Sequence, residues 1–280
     1  MFVFFPCSTV NRNRDFSKNR ENLPQVKRGQ YKSFGGRQVL PDEYPWLASL
    51  YHVGSRGVYI CSGVQISSRH ILTAAHCVVD YSKQEYYSVC KTEDEYKNRN
   101  LKDFGRFQIY VGSGCNRPEL CHSRHHPLKV SLHKHWGKCD GSLDLAIIEL
   151  DRDTNPSETS PISMPTVNTE LAKSLNAAGI GADTTLIGDV NANGLQVITL
   201  RVNETNDDPY FIKTWSRTAS LCQGDSGGPL FQLNSAGKYV LMGIASLSTR
   251  CELERTIRRN YFVDIRMHLD WICKQTGVCP

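Results

Sequence analysis

At 280 residues the chain is long enough to bury a sizeable core, and it fits either two ordinary domains or one large all-β unit. Its formal net charge of +5 comes entirely from residues 1–32, which hold seven Lys/Arg against two Asp/Glu while the remainder balances at 26 against 26, so a basic nucleic-acid stripe is excluded from the main body. Eleven cysteines without a Cys-x-x-Cys pair argue against a reduced cytosolic protein and against a compact zinc site, and no apolar run approaches the length of a membrane span.

In chain order, Met1 to Phe5 is apolar, but five residues before Pro6 fall short of a signal peptide's hydrophobic region and no basic start precedes them. Residues 8–32 are polar, basic and without hydrophobic period, which predicts a disordered leader or pro-segment. Val58 to Ser67 and Ile71 to Ala75 predict short strands around turn residues. Phe107, Ile109 and Val111 alternate with Arg106, Gln108 and Tyr110, the pattern of a half-buried strand. His122, His125, His126, His133 and His135 lie between Cys115, Cys121 and Cys139; their spacing does not match a compact metal-ligand set, and a histidine-rich loop tied by disulfides is the simpler reading, with no metal. Leu143 to Leu150 is apolar on both faces and predicts a buried strand with Asp144 at its start, where a carboxylate needs a partner. After a Pro, Ser and Thr rich connection from Asp153 to Thr169, Thr184 to Ile187, Gly194 to Val202 and Tyr239 to Ser246 are strand-like. Asn203-Glu204-Thr205 is an N-glycosylation sequon, or else an ordinary polar turn.

The run Cys222-Gln223-Gly224-Asp225-Ser226-Gly227-Gly228-Pro229 crowds turn-forming residues around one serine. A serine hydroxyl is a poor nucleophile unless a base takes its proton, and the oxyanion formed on an attacked carbonyl needs donors, here the N–H groups of Gly224 and Ser226. Thr73-Ala74-Ala75-His76-Cys77 supplies a base, and Asp144-Leu145-Ala146-Ile147 supplies a carboxylate that would hold the imidazole in one tautomer. The order His, Asp, Ser differs from the Asp, His, Ser of subtilisin-like enzymes and the Ser, Asp, His of α/β-hydrolases.

With these three segments in this order the sequence resembles the chymotrypsin-like (trypsin family) serine proteases, whose mechanism is carried over from the family to His76, Asp144 and Ser226. The resemblance implies an all-β protein of two six-stranded antiparallel Greek-key barrels with a C-terminal helix, Ile265 to Cys273. It divides the chain into a leader, 1–32, and a protease domain, 33–280. The stretch from Ser33-Phe34-Gly35-Gly36 to Leu50 resembles the start of the mature family enzyme, which makes Lys32 the activation cleavage site. The freed ammonium of Ser33 would then pair with Asp225, although the family has isoleucine or valine where Ser33 stands. Lys129 to Trp136 resembles the strand and turn leading to the catalytic aspartate. Tyr81 to Asp103, with Cys90 inside it, is longer than the family requires and is expected to form a surface loop near the cleft.

Two disulfides follow from the resemblance, Cys61 with Cys77 beside the catalytic histidine and Cys222 with Cys251 beside the specificity pocket. The pairing of Cys7, Cys90, Cys115, Cys121, Cys139, Cys273 and Cys279 stays open. Ser220 falls at the floor of the primary pocket, where trypsin-like enzymes carry an aspartate. Ser246-Leu247-Ser248 replaces the family's Ser-Trp-Gly on one wall, and Asn260, give or take a residue, lies on the other. The implied preference is elastase-like, for small residues, ahead of a chymotrypsin-like aromatic one. The implied function is a secreted endopeptidase made as a zymogen, without cofactor. Its partners would be protein or peptide substrates, an activating protease and protein protease inhibitors, and neither nucleic acid nor membrane. A protein of this fold that binds but has lost activity is the alternative.

Overall fold

The computed structural model describes residues 35–54, 57–114, 121, 123–181, 194–203, 208–249 and 257–280, together with the backbone of residues 3–4. Two short strands, β1 (Val3–Phe4) and β2 (Arg37–Gln38), stand outside the barrels proper. The first barrel is built from β3 (Leu47–Gly54), β4 (Gly57–Gln65), β5 (His70–Thr73), β6 (Phe107–Val111), β7 (Pro127–Leu132) and β8 (Ala146–Leu150), in the spatial order β6-β3-β4-β5-β8-β7. Reciprocal bonds between Ile109 and His125, at 2.9 and 2.8 Å, carry β6 across to the segment entering β7. The second barrel comprises β9 (Ser174–Gly179), β10 (Gln196–Val202), β11 (Phe211–Ser216), β12 (Pro229–Leu233), β13 (Tyr239–Ser248) and β14 (Arg258–Asp264). Its order is β13-β12-β9-β10-β11-β14, and direct pairing of β13 with β14 closes the ring. Strand β2 adds to β10, and β1 adds antiparallel to β13, with Val3 opposite Ser248 and Phe4 opposite Leu247.

Closed sheets leave few free edges, so the apolar residues converge inward. Leu175, Ile198, Leu200, Ile212, Leu230, Met242 and Phe262 fill the second barrel. The larger cluster fills the first barrel and continues into the seam between the two, where Tyr44 and Trp46 meet Phe231 and Tyr239 at ring separations of 5.0 to 5.9 Å. This aromatic joint fixes one barrel against the other, which matters because the predicted site takes residues from both.

Helix α1 (Ala75–Val78) is a single turn, α2 (Lys83–Val89) lies in the predicted insertion, and α3 (Leu269–Thr276) closes the chain. The two-barrel architecture with a terminal helix agrees with the sequence reading, and several details differ. The predicted helix 265–273 is a 3₁₀ turn, Ile265–Met267, followed by α3, which ends on Gly277 in the left-handed conformation. The strand expected from Leu143 begins at Ala146, so Asp144 sits in the preceding turn and not in the ladder. Tyr81 to Asp103 is not simply a surface loop: Tyr86 and Tyr96 are each 2% exposed, and Cys90 is bonded to Cys139. Their rings pack on each other and on Tyr81, whose ring meets Trp136, while their hydroxyls stay satisfied, Tyr86 on Lys138 O and Tyr96 on Glu85, which lets a tyrosine-rich segment bury. The predicted strand Thr184 to Ile187 lies outside the described residues.

Candidate active site

Strand β5 ends at Thr73, and the chain turns at once into α1, which carries His76. Cys61 of β4 is bonded to Cys77, with Cα atoms 6.1 Å apart, so the histidine's neighbour is fastened to the barrel wall. The Asp144 carboxylate is fully buried and accepts three hydrogen bonds. His76 N–H reaches Oδ1 at 2.9 Å, while His76 Nδ1 at 2.6 Å and Ser246 Oγ at 2.7 Å both reach Oδ2. An ionised carboxylate only accepts, so Nδ1 carries the ring proton in the neutral imidazole and Nε2 is left with a lone pair.

Ser226 is 2% exposed, and its Oγ has no hydrogen-bond partner among the described residues. Its carbonyl accepts from Ser62 N at 2.8 Å and lies 3.6 Å from Cys77 Sγ, while the next residue, Gly227, donates to Ala245 O at 2.8 Å. Ser226 is thereby set between the neighbour of His76 and the neighbour of Ser246. The structure brings the three sequence-predicted residues to one place at the seam of the barrels. The N–H groups of Gly224 and Ser226 donate to no acceptor among the described residues. Gly224 has φ +99°, in the left-handed region that favours glycine.

Asp225, 1% exposed, turns its carboxylate away from the serine, accepting from Gly181 N and Cys222 N at 2.8 Å each. Lys32 and Ser33 lie outside the described residues, but the chain resumes close by. At Gly35, φ +73°, a Cβ would fall 1.6 Å from Thr218 O, so only glycine passes there, beside the segment leading to Ser220.

The predicted pocket residues also converge. Ser220 and Asn260 are both fully buried, and Asn260 Oδ1 accepts from Ser220 Oγ at 3.2 Å and from Leu221 N at 3.0 Å. Asn260 stands opposite Ser248 across the β13–β14 ladder, and Ser248 is 1% exposed with its hydroxyl turned to Thr249 O. Ser246, read from the sequence as a pocket wall, also donates its hydroxyl to Asp144. No sequence signal identified that role, since a serine in an apolar strand carries no local mark of its partner.

Elsewhere among the predicted residues, Cys222 is disulfide-bonded, and Cys251 lies outside the described residues. Cys273 is bonded to Cys279 across the end of α3. Asn203 follows β10 and donates through its N–H to Lys213 O, whereas Glu204 and Thr205 lie outside the described residues. The histidines of the Cys115–Cys139 region separate: His125 is held on Ile109 and the His133 ring packs on His268 and Trp271. Among the described residues, one trio converges as metal ligands could, Cys61, His76 and Cys77, but its two sulfurs are joined to each other. A groove of about 1020 Å³ beside β10, β11 and β14, lined by Lys173, Arg201, Lys213 and Arg217, contains none of the triad residues.

One closed six-stranded barrel and a second, curled six-stranded sheet, with a buried histidine–aspartate pair and a buried serine at their seam, are consistent with the chymotrypsin-like class of fold. A family model described as Trypsin matches residues 33–272, and the chain belongs to that family. It is 29% identical over 272 residues to Phenoloxidase-activating factor 3 of Holotrichia diomphalia, covering 89% of this chain and 73% of the relative. Serine protease SSP1 of Scolopendra subspinipes is 26% identical over 290 residues, with 99% and 93% covered. Granzyme M of Homo sapiens is 25% identical over 258 residues, with 87% and 88% covered.

Proposed function

We propose that this chain is a serine endopeptidase in which Ser226 attacks a peptide carbonyl, His76 takes and returns the proton, and Asp144 holds the His76 ring. The observation that carries the reading is the fully hydrogen-bonded Asp144, which fixes the Nδ1 tautomer of His76 on the same seam where Ser226 Oγ lies without a partner among the described residues. The N–H groups of Gly224 and Ser226, without an acceptor among the described residues, are then the donors for the oxyanion. Breaking the C–N bond passes the His76 proton to the leaving amine, and water repeats the sequence on the acyl-enzyme.

Substrate would add to β13 as an extended strand, as β1 already does at Leu247 and Ser248. With Asn260 against Ser220, the pocket suits small uncharged side chains and offers no anion to Lys or Arg. The protease domain begins at Ser33, and cleavage after Lys32 removes the leader and frees the Ser33 ammonium to reach the buried Asp225. Disulfides across the first barrel and the terminal helix suit a secreted protein, with Asn203 glycosylated. The relative named a phenoloxidase-activating factor supports a protein substrate, and the cleavage after Lys32 calls for an activating protease as a partner.

A fluorophosphonate probe tests the reading. It should label Ser226 in the protein cleaved after Lys32, and Ser226→Ala should abolish labelling and lower peptidase turnover by roughly 10⁴-fold or more with the fold retained. Absence of labelling in the cleaved wild type would favour the binding protein without activity.

A further inference from the structure

Ser62 lies in β4 directly after the disulfide cysteine Cys61 and is 1% exposed. Its three polar groups all reach the neighbourhood of the reaction. The backbone N–H donates to Ser226 O at 2.8 Å, and the hydroxyl donates to Gly224 O at 2.8 Å while accepting from Ile180 N at 2.9 Å. The carbonyl accepts from Thr73 Oγ1 at 2.7 Å, three residues before His76. One serine therefore holds the carbonyls of both residues whose N–H groups point at no acceptor among the described residues.

The side chain fits a slot cut for it. A Cβ on Gly179 would meet Ser62 Oγ at 2.7 Å, and one on Gly228 would meet Ser62 Cβ at 3.1 Å. The same Ile180 N–H that Ser62 accepts is followed by Gly181 N–H on Asp225 Oδ1, so the 179–181 segment is fastened once to Ser62 and once to the serine turn. At Gly224, a glycine at φ +99°, no Cβ restricts the rotation of the flanking peptide planes. Holding the Gly224 carbonyl anchors one of the two peptide planes whose relative rotation sets where its N–H points.

We propose that Ser62 is a positioning residue of the oxyanion hole: through its hydroxyl on Gly224 and its N–H on Ser226 it keeps both N–H groups aimed at the developing oxyanion. The proposal rests on the endopeptidase reading above, and acts on the transition state more than on substrate binding. Without the hydroxyl, the Gly224 carbonyl and the Ile180 N–H are left buried and unpaired, and turning Gly224 to find another partner disperses the donors.

The experiment compares activated wild type, Ser62→Ala and Ser62→Gly on a peptide substrate. Alongside turnover it measures inhibition by an acetylated tripeptide ending in alaninal, whose hemiacetal oxygen would enter the hole, and by the corresponding alcohol, which places no oxyanion there. Loss of a whole oxyanion donor lowers kcat by about 10²- to 10³-fold, so misaiming should lower kcat of Ser62→Ala by roughly 10- to 100-fold. The aldehyde should weaken by the same factor, with KM and alcohol binding within about threefold. Ser62→Gly leaves room for one water between two polar groups and should lose less than the alanine variant. A folded Ser62→Ala with kcat and aldehyde affinity within twofold of wild type overturns the proposal, as does equal weakening of aldehyde and alcohol. If the alanine variant does not fold, the ratio of aldehyde to alcohol affinity in Ser62→Gly decides by the same criteria. Fluorophosphonate labelling of wild type separates the two levels: no labelling removes the reaction and this proposal with it, whereas labelling with unchanged Ser62 variants removes this proposal alone.

Discussion

Ser246 Oγ lies 2.7 Å from Asp144 Oδ2, the carboxylate oxygen that also receives His76 Nδ1. The contact spans the seam, from β13 of the second barrel to the turn before β8 of the first, and both groups are fully buried. A hydrogen bond to a charged acceptor is stronger than a neutral one, and in this setting it holds the carboxylate plane against rotation about the bond to Oδ1.

Replacing Ser246 by Ala should therefore loosen Asp144 without removing it. His76 N–H still anchors Oδ1, so the expected loss in kcat is modest, about tenfold, which is ~1.4 kcal/mol and close to the lower end of the roughly 1.5–3 kcal/mol of a hydrogen bond to a charged group. KM should change little. Steady-state kinetics of the activated variant checks this, and a loss as large as that of Ser226→Ala would mean that Ser246 does more than hold the carboxylate.

Asn260 offers a separate test of selectivity. Its amide fills the space over Ser220 and accepts two hydrogen bonds there, so Asn260→Gly should open the pocket and leave Ser220 and Leu221 N–H to water. Cleavage after aromatic residues should then rise relative to cleavage after Ala or Val by about 10- to 200-fold in kcat/KM, the range that a change of fit in an apolar pocket supports. Cleavage after Lys or Arg should stay weak, because no carboxylate is added. A peptide library profiled on both enzymes measures this; an unaltered profile would remove Asn260 from the specificity pocket.

His76, Asp144 and Ser226 stand out in the sequence because each sits in a short local motif whose chemistry is distinctive, whereas Asn260 was placed only by the family resemblance, to within a residue. What was not legible depends on contacts distant in sequence. Ser62 and Ser246 are ordinary serines in apolar strands until the barrels close and bring Gly224 and Asp144 against them. The Cys90–Cys139 pairing rests on how the 81–103 segment folds back over Trp136, which its polar composition concealed. Strand β9, Ser174–Gly179, went unread because its small residues carry little hydrophobic pattern; its Gly179 is kept small by Asp225 and Ser62 packed against it. In each case composition described the residue, and only the fold supplied its partner.

Two histidines predict how stability depends on pH. The His133 ring packs edge to face on His268 and Trp271, with centroids 5.0 Å away in each pair, where the turn after β7 meets the start of α3. Burial, and for His133 also the neighbouring His268, His135 and Lys134, lowers both imidazoles to about 4, with Asp264 opposing this at His268. In the unfolded chain both titrate near 6.5. Between about pH 6.5 and pH 4 the unfolded state binds more protons than the folded one, so stability is complete above 6.5 and falls as pH drops through that window, by up to about 1.4 kcal/mol per pH unit for each histidine. Urea unfolding of the Ser226→Ala protein between pH 7 and pH 5, above most carboxylate titrations, should show this decline. His268→Phe keeps the aromatic packing without a titrating group and should flatten the slope by about half. A slope unchanged in that variant would place the pH dependence elsewhere in the chain.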